Sequence, residues 1–175
     1  MKITVDIPTL ESERLILRAY DPARDFDRLA AFMATDKSRF FLGPLDRYGA
    51  WRLAATFVGH WVQRGFGLFA IEEKETGDFS GMAGPWAPET WPEPELAWFL
   101  TPDKEGRGYG TEAALCARSY IYDQLGWDNV ASAIEPDNAA SIKLAERMGA
   151  RADYEHPLPK GGVVVYYRHP GPEAL

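Results

Sequence analysis

The stretch Glu105-Gly106-Arg107-Gly108-Tyr109-Gly110-Thr111-Glu112-Ala113 sets three alternate glycines directly before a run of good helix formers. Glycine adopts positive φ at no steric cost and lets backbone N–H groups come close to a ligand. The first turn of the helix that follows leaves its N–H groups unpaired at the positive end of the helix dipole, so the stretch reads as an anion cradle. Immediately upstream, Glu95-Leu96-Ala97-Trp98-Phe99-Leu100 is short, apolar and aromatic, and it is bounded by Pro94 and by Thr101-Pro102, which marks a strand. The unit is strand, charged elbow, glycine loop, helix.

Gly108-x-Gly110-x-x-Ala113 satisfies the dinucleotide fingerprint, and Glu135 lies near the expected ~20 residues downstream. That fingerprint wants its strand to run almost directly into the first glycine, whereas Thr101-Pro102-Asp103-Lys104-Glu105 intervenes here. A nucleotide-dependent oxidoreductase is therefore a rival that a cofactor-binding screen would separate. There is no GxxxxGK[ST] P-loop.

Working outward, residues 13–20 alternate as a strand, and Asp21-Pro22 offers a helix N-cap with proline at the first helical position. Phe26, Leu29, Ala30 and Met33 then form one helical stripe. Residues 38–48 read as a loop whose Phe40-Phe41-Leu42 either plugs the core or walls an acceptor pocket. Trp51, Ala54, Ala55, Val58, Trp61 and Val62 give a second helical stripe, stopped by Gly65-Phe66-Gly67. Residues 66–72 and 79–86 follow as a hairpin, and the proline-rich 85–94 is a rigid connection whose Trp86 and Trp91 are expected to be packed, with facing a ligand as the alternative.

After the glycine loop, Ala114, Ala117, Ile121 and Leu125 mark a helix face, and residues 130–134 a strand. Asp137-Asn138-Ala139-Ala140-Ser141 opens a further helix that Gly149 ends, and residues 151–156 and 163–168 form a hairpin around Lys160-Gly161-Gly162. This order is α/β with a mixed sheet of about seven strands, not the strict alternation of a doubly wound fold.

The 175 residues suffice for one domain over residues 1–175 that buries roughly 70% of its unfolded surface. Apolar content of 46% with no run of ~18 apolar residues argues against a membrane span, and Met1-Lys2-Ile3-Thr4-Val5-Asp6 lacks the pattern of a signal peptide, which leads us to expect a cytoplasmic protein. The single Cys116 excludes an intrachain disulfide and reads as a buried structural thiol. With that one cysteine and three scattered histidines, His60, His156 and His169, no metal-ligand spacing exists, so no metal is expected. A net charge of -7 argues against nucleic acid and suits a cationic acceptor.

Read as x-x-x-Gly-x-Gly from Glu105, the loop resembles the acetyl-CoA motif of the GNAT acetyltransferases, [Gln/Arg]-x-x-Gly-x-[Gly/Ala], and most of all its RimJ/RimL-like branch. Leu10-Glu11-Ser12-Glu13-Arg14-Leu15-Ile16-Leu17-Arg18, the strand before the loop, and Asn138-Ala139-Ala140-Ser141-Ile142 with Glu146-Arg147-Met148-Gly149-Ala150 extend the resemblance from about residue 9 to residue 170. It implies a mixed, mostly antiparallel GNAT-like sheet with helices on both faces. The function it implies is transfer of an acetyl group from acetyl-CoA, used as cosubstrate, to an amine-bearing small molecule or peptide. A homodimer is compatible with it.

By resemblance, the cofactor lies on Gly106, Arg107, Gly108, Tyr109, Gly110 and Thr111, on the backbone of Trp98, Phe99 and Leu100, and beside Asn138 and Ser141. Glu95 matches the glutamate many relatives carry as general base and His156 is a lesser candidate, whereas the tyrosine that often serves as general acid is replaced by Ala145, which passes that role to Ser141. Asn138 reads equally as a plain helix N-cap, Ser141 as a small first-turn residue and Glu95 as a solvated strand-end charge. Glu105 replaces the usual Gln or Arg, with Arg107 placed to offset it. Those two departures keep a non-catalytic acyl-CoA-binding sensor in view.

Overall fold

The structure, a computed structural model, describes residues 4–159 and 161–174. Lys160 of the expected hairpin turn and Met1-Lys2-Ile3 of the N-terminal stretch lie outside the described residues. The strands are β1 (Leu10–Glu11), β2 (Leu15–Arg18), β3 (Phe69–Glu73), β4 (Phe79–Trp86), β5 (Glu95–Leu100), β6 (Ala131–Ile134), β7 (Arg151–Pro157) and β8 (Val163–Arg168). They form one sheet in the order β1-β2-β3-β4-β5-β6-β8-β7, antiparallel throughout except between β5 and β6. The strand beyond the sequence expectation is β1, whose two residues pair with Leu17 and Ile16 and are too few to show alternation.

Helix α1 (Pro22–Met33) starts where expected: the Asp21 side chain accepts from the Ala23 N–H and Pro22 needs no partner for a missing N–H. Helix α2 (Arg47–Arg64) corrects the reading of residues 38–48 as a loop. Asp36–Phe41 is a 3-10 turn, and α2 begins at Arg47 because Asp46 accepts from the Gly49 N–H at 2.7 Å. Gly49 in the first turn hid that start.

The face of α2 is also corrected. Ala50, Leu53, Ala54, Phe57, His60 and Trp61 are buried, whereas Trp51 and Val58 are exposed, as are Ala55 and Val62. The helix is apolar on two faces, so periodicity alone does not say which one meets the sheet.

Helices α1 and α2 cover one face of the sheet through Leu29, Met33, Phe57, Phe79, Met82 and Phe99. Helix α3 (Tyr109–Asp123) covers the other, setting Ala113, Ala114, Ala117 and Ile121 against Leu17, Ile71 and Leu96. Each fully buried Leu, Ile, Met or Phe side chain contributes ~1.5–3 kcal/mol. Helix α4 (Ala139–Arg147) lies on that second face too, with Ala145 against Ile134. Trp86 is packed as expected, stacked on His60 at 4.3 Å, while Trp91 is half-buried. Among the described residues no helix is long and apolar enough to cross a membrane.

Candidate active site

Strand β5 is treated differently along its two edges. Toward β4 it pairs in unbroken register from Gly81↔Leu100 to Trp86↔Glu95. Toward β6 the described residues show a single pair, Glu95↔Ala131. Continuing that parallel ladder would bond the Ala133 N–H to the Leu96 carbonyl. Two side chains take those positions instead: Glu95 Oε2 accepts from Ala133 N at 2.8 Å, and Ser132 Oγ donates to Leu96 O at 2.6 Å. With both groups satisfied, the strands part without leaving an orphan at the fork.

Beyond the fork, alternation settles where the amides of β5 point. Thr101 N donates to Ser80 O at 2.9 Å, next to β4, so the odd-numbered residues face β4, and the N–H groups of Trp98 and Leu100 face the gap. Trp98, Phe99 and Leu100 line a cleft of about 620 Å³ there.

The glycine loop is the opposite wall. Gly106 and Gly108 take φ of +74° and +81°, and Glu112 N is paired to Gly108 O at 3.1 Å. The N–H groups of Tyr109, Gly110 and Thr111, at the first three positions of α3, have no acceptor within the helix. Gly106, Gly108, Gly110 and Thr111 all line the cleft. Gly110 is needed for a different reason from its neighbours: a Cβ there would stand 2.7 Å from Leu144 Cδ1 on α4.

Arg107 and Tyr109 do not line the cleft. Their side chains turn to Glu73, which is 2% exposed and accepts from the Tyr109 hydroxyl, from Arg107 Nη1 at 3.2 Å, from Thr76 Oγ1 at 2.9 Å and from Lys104 Nζ. The Lys104 ammonium, and after it the Tyr109 hydroxyl, hold the Glu73 carboxyl down to about 2. On the outer side, Arg14 Nη1 donates to the Arg107 carbonyl at 2.9 Å, while Glu112 in the first turn of α3 accepts from Ser12 Oγ, Arg14 N and Arg14 Nε. The loop is thus clamped at both ends by groups the sequence reading did not single out. No local signal marked them, since Glu73 stands between Glu72 and Lys74 and Lys104 between Asp103 and Glu105.

Helix α4 supplies the third wall. Asn138 is its N-cap, accepting from Ser141 N at 3.2 Å, and also lines the cleft. Ser141 lines it as well, and among the described residues its hydroxyl has no hydrogen-bond partner. Ala145, at the place of the tyrosine expected in relatives, is fully buried against Ile134 and Ala150 and does not line the cleft.

At the mouth, Lys37 from the 3-10 turn meets Glu105 at 2.7 Å, so Glu105 is balanced by Lys37 rather than by Arg107 as expected. Lys143 and Arg147 add two more cations to the lining, the latter donating to Thr111 Oγ1 at 3.2 Å. The cleft is therefore locally basic in a chain of net charge -7. Phe40 and Phe41 close its apolar side; Phe41 packs on Phe99 at 4.6 Å, so it serves core and wall together, while Leu42 is 61% exposed.

Glu95 stands at the fork, 6% exposed and outside the cleft lining. It accepts from Trp91 Nε1 at 2.9 Å and from Ala133 N, and burial without a cation among these donors pushes its carboxyl up to about 7. His156 is off the cleft, edge-on to Tyr166 at 6.4 Å. Among the described residues no three His, Cys, Asp or Glu side chains cluster as metal ligands.

A strand pair forked beside a glycine loop and a helix N-terminus defines a class, and residues 14–151 match the family model for an acetyltransferase (GNAT) domain. The chain belongs to the GNAT acetyltransferase family. The acetyltransferase of Agrobacterium tumefaciens str. C58 is 34% identical and superposes with a TM-score of 0.85, covering 97% of this chain and 98% of that one. The uncharacterized protein YkkB of Bacillus subtilis (strain 168) is 33% identical over 97 residues, 51% of this chain; the match spans 56% of the length of YkkB. RimL, a ribosomal L7/L12 alpha-N-protein acetyltransferase solved in complex with coenzyme A, superposes with a TM-score of 0.75 over 93% of this chain and 97% of its own. At 15% identity that likeness is one of fold.

Proposed function

We propose that the chain is an acetyl-CoA-dependent N-acetyltransferase of the RimJ/RimL-like kind, moving an acetyl group to a primary amine, a protein or peptide N-terminus, by direct attack in a ternary complex. The observation that carries this reading is that the Trp98 and Leu100 N–H groups, which have no ladder partner on β6 among the described residues, face the first turn of α3 across one cleft. The residues present fit acetyl-CoA. Amides at the start of α3, with Lys37, Lys143 and Arg147, suit a polyanion, and the free edge of β5 suits an extended arm with amide groups. When bound, the cosubstrate supplies an activated acetyl thioester.

The chain's own groups then have separable tasks. As the amine nitrogen bonds to the acetyl carbon, the Trp98 N–H donates to the oxygen that gains charge, a preorganised interaction that can be worth ~3 kcal/mol. As the carbon–sulfur bond breaks, the free Ser141 hydroxyl hydrogen-bonds the departing sulfur. The amine's proton passes by water to Glu95, whose carboxyl near 7 is matched to that task although it lies outside the cleft lining.

The test is release of CoA thiol across peptide N-termini, polyamines, aminoglycosides and amino acids. Turnover with peptides is expected. CoA binding with no release for any amine would overturn the reading in favour of an acyl-CoA sensor.

A further inference from the structure

Tyr48, Trp51, Ala55, Val58 and Val62 succeed one another along α2 at intervals of 3, 4, 3 and 4 residues, the spacing of a helix–helix seam. Their seam looks away from the sheet. Tyr48 is 67% exposed, Trp51 56%, Val58 47% and Val62 44%, and Tyr48 and Trp51 stack on each other at 6.2 Å. Isolated exposed apolar residues need no explanation, but a continuous stripe along most of an 18-residue helix does. Neither the cleft nor its supporting network uses any of the five.

We infer that this seam is a twofold interface in which α2 packs antiparallel on α2 of a second copy of the chain, with Ala55 on the axis. Side-chain size is arranged for that partner. The aromatic residues occupy the N-terminal half, alanine the middle, and valines with Gly59 the C-terminal half. Positions equidistant from Ala55 meet across an antiparallel twofold, which sets Tyr48 opposite Val62 and Trp51 opposite Gly59 beside Val58. Large groups then face small ones. In a parallel pair Trp51 would meet Trp51 and Val62 would meet Val62, leaving a bulge at one end and a gap at the other.

Gly59 strengthens the fit, since only Gln63 Nε2, at 3.8 Å, approaches the place of a Cβ there, leaving a notch for the partner's indole. Antiparallel packing also sets the two helix dipoles in opposition.

The area is of the right order. Aromatic side chains carry roughly 150–250 Å² each, so the exposed parts of Tyr48, Trp51 and the two valines from both copies amount to on the order of 700 Å² of apolar surface. That is close to the apolar core of a standard interface of about 1,600 Å², with Arg52, Thr56 and Gln63 left to form its rim.

Sedimentation velocity at concentrations up to about 100 µM tests the inference, because a dimer must follow mass action. The wild-type chain should sediment at twice 19.6 kDa. Trp51→Glu and Val58→Glu, both at exposed positions, should each yield a monomer with an unchanged circular dichroism spectrum and a thermal midpoint that no longer rises with protein concentration. In a Cys116→Ser background, Ala55→Cys should oxidise to a covalent dimer, since a residue on the axis meets itself, whereas Thr56→Cys, off the seam, should not. A monomeric wild type, a dimer indifferent to both glutamates, or equal cross-linking at 55 and 56 would overturn it. None of these readouts depends on the proposed activity.

Discussion

Glu73 and Glu95 are both carboxylates buried on central strands, 2% and 6% exposed, yet burial acts on them in opposite directions. Glu73 has the Lys104 ammonium and the Tyr109 hydroxyl on its oxygens and is held down to about 2. Glu95 has an indole N–H and a backbone N–H, and it rises to about 7. Desolvation opposes the charge in both cases, and the presence of a cation within hydrogen-bond reach decides the outcome. At the glycine loop the result is a fixed charge that clamps a backbone. At the fork of β5 and β6 it is a group that exchanges its proton near neutrality.

The largest expected effect tests the fixed charge. Glu73→Ala leaves Lys104 buried with only the half-exposed Asp78, and breaking a buried pair from one side should cost about 3 kcal/mol in urea unfolding. The pH dependence of stability should have opposite signs at the two sites. The folded pKa of Glu73 lies below its ordinary 4.5, so its contribution is complete above that value and is lost as pH falls toward 2. The folded pKa of Glu95 lies above 4.5, so stability should decline as pH rises from 4.5 to about 7, and Glu95→Gln should abolish that decline. A flat difference between wild type and Glu95→Gln over this range would remove the contrast.

The second effect belongs to turnover. If Glu95 receives the amine's proton, Glu95→Gln should lower kcat about 100-fold while CoA still binds. The wild-type rate, at saturating acceptor, should rise through an apparent pKa near 7 that the variant lacks. A loss in kcat with an unchanged profile would assign Glu95 to the fork alone, where it and Ser132 hold the strands apart.

How much of this was legible in the chain depended on distance along it. The strand 95–100, the glycine loop and the helix after it are contiguous, and their punctuation by Pro94, Pro102 and the three glycines is local chemistry. Asn138 and Ser141 were visible for the same reason, at the start of a helix that carries its own cap. Ser132 was not, because nothing near it in sequence says that its hydroxyl replaces a ladder bond to Leu96, 36 residues away. Glu73 and Lys104 are 31 residues apart, and their pairing follows from strand register, which the sequence does not print. Helix α2 failed differently: Trp51, Ala55, Val58 and Val62 have the period of a core face, but that face is turned outward.

Gly110→Val comes next in size and tests the loop rather than its clamp. The added Cβ meets Leu144, whose flexible end can yield, so the fold should survive while α3 and α4 are pushed apart at the cleft. Calorimetry should show CoA affinity reduced tenfold or more, a loss of about 1.4 kcal/mol. Gly106 offers the control, since a Cβ there meets nothing and only its φ of +74° resists substitution.

The smallest effect concerns a third carboxylate, Glu105, which is neither clamped nor buried. Its side chain is 47% exposed and its partner Lys37 is 54% exposed, so solvent screens the pair and it should contribute at most ~1 kcal/mol to stability. Its consequence should fall on the ligand instead. A polyanion entering the basic mouth meets Glu105 as the one acidic side chain of the lining, and it competes with Glu105 for Lys37. Glu105→Gln should therefore tighten CoA binding about two- to threefold at low salt, and Lys37→Ala should weaken it by a similar factor. Both differences should fade in 0.5 M salt, where the screening length falls to ~4 Å, while the losses at Glu73 and Glu95 persist because their partners are buried. If Glu105→Gln leaves the affinity unchanged at low salt as well, the anion does not pass this mouth, and the contrast between clamped, titrating and screened carboxylates would no longer describe one site.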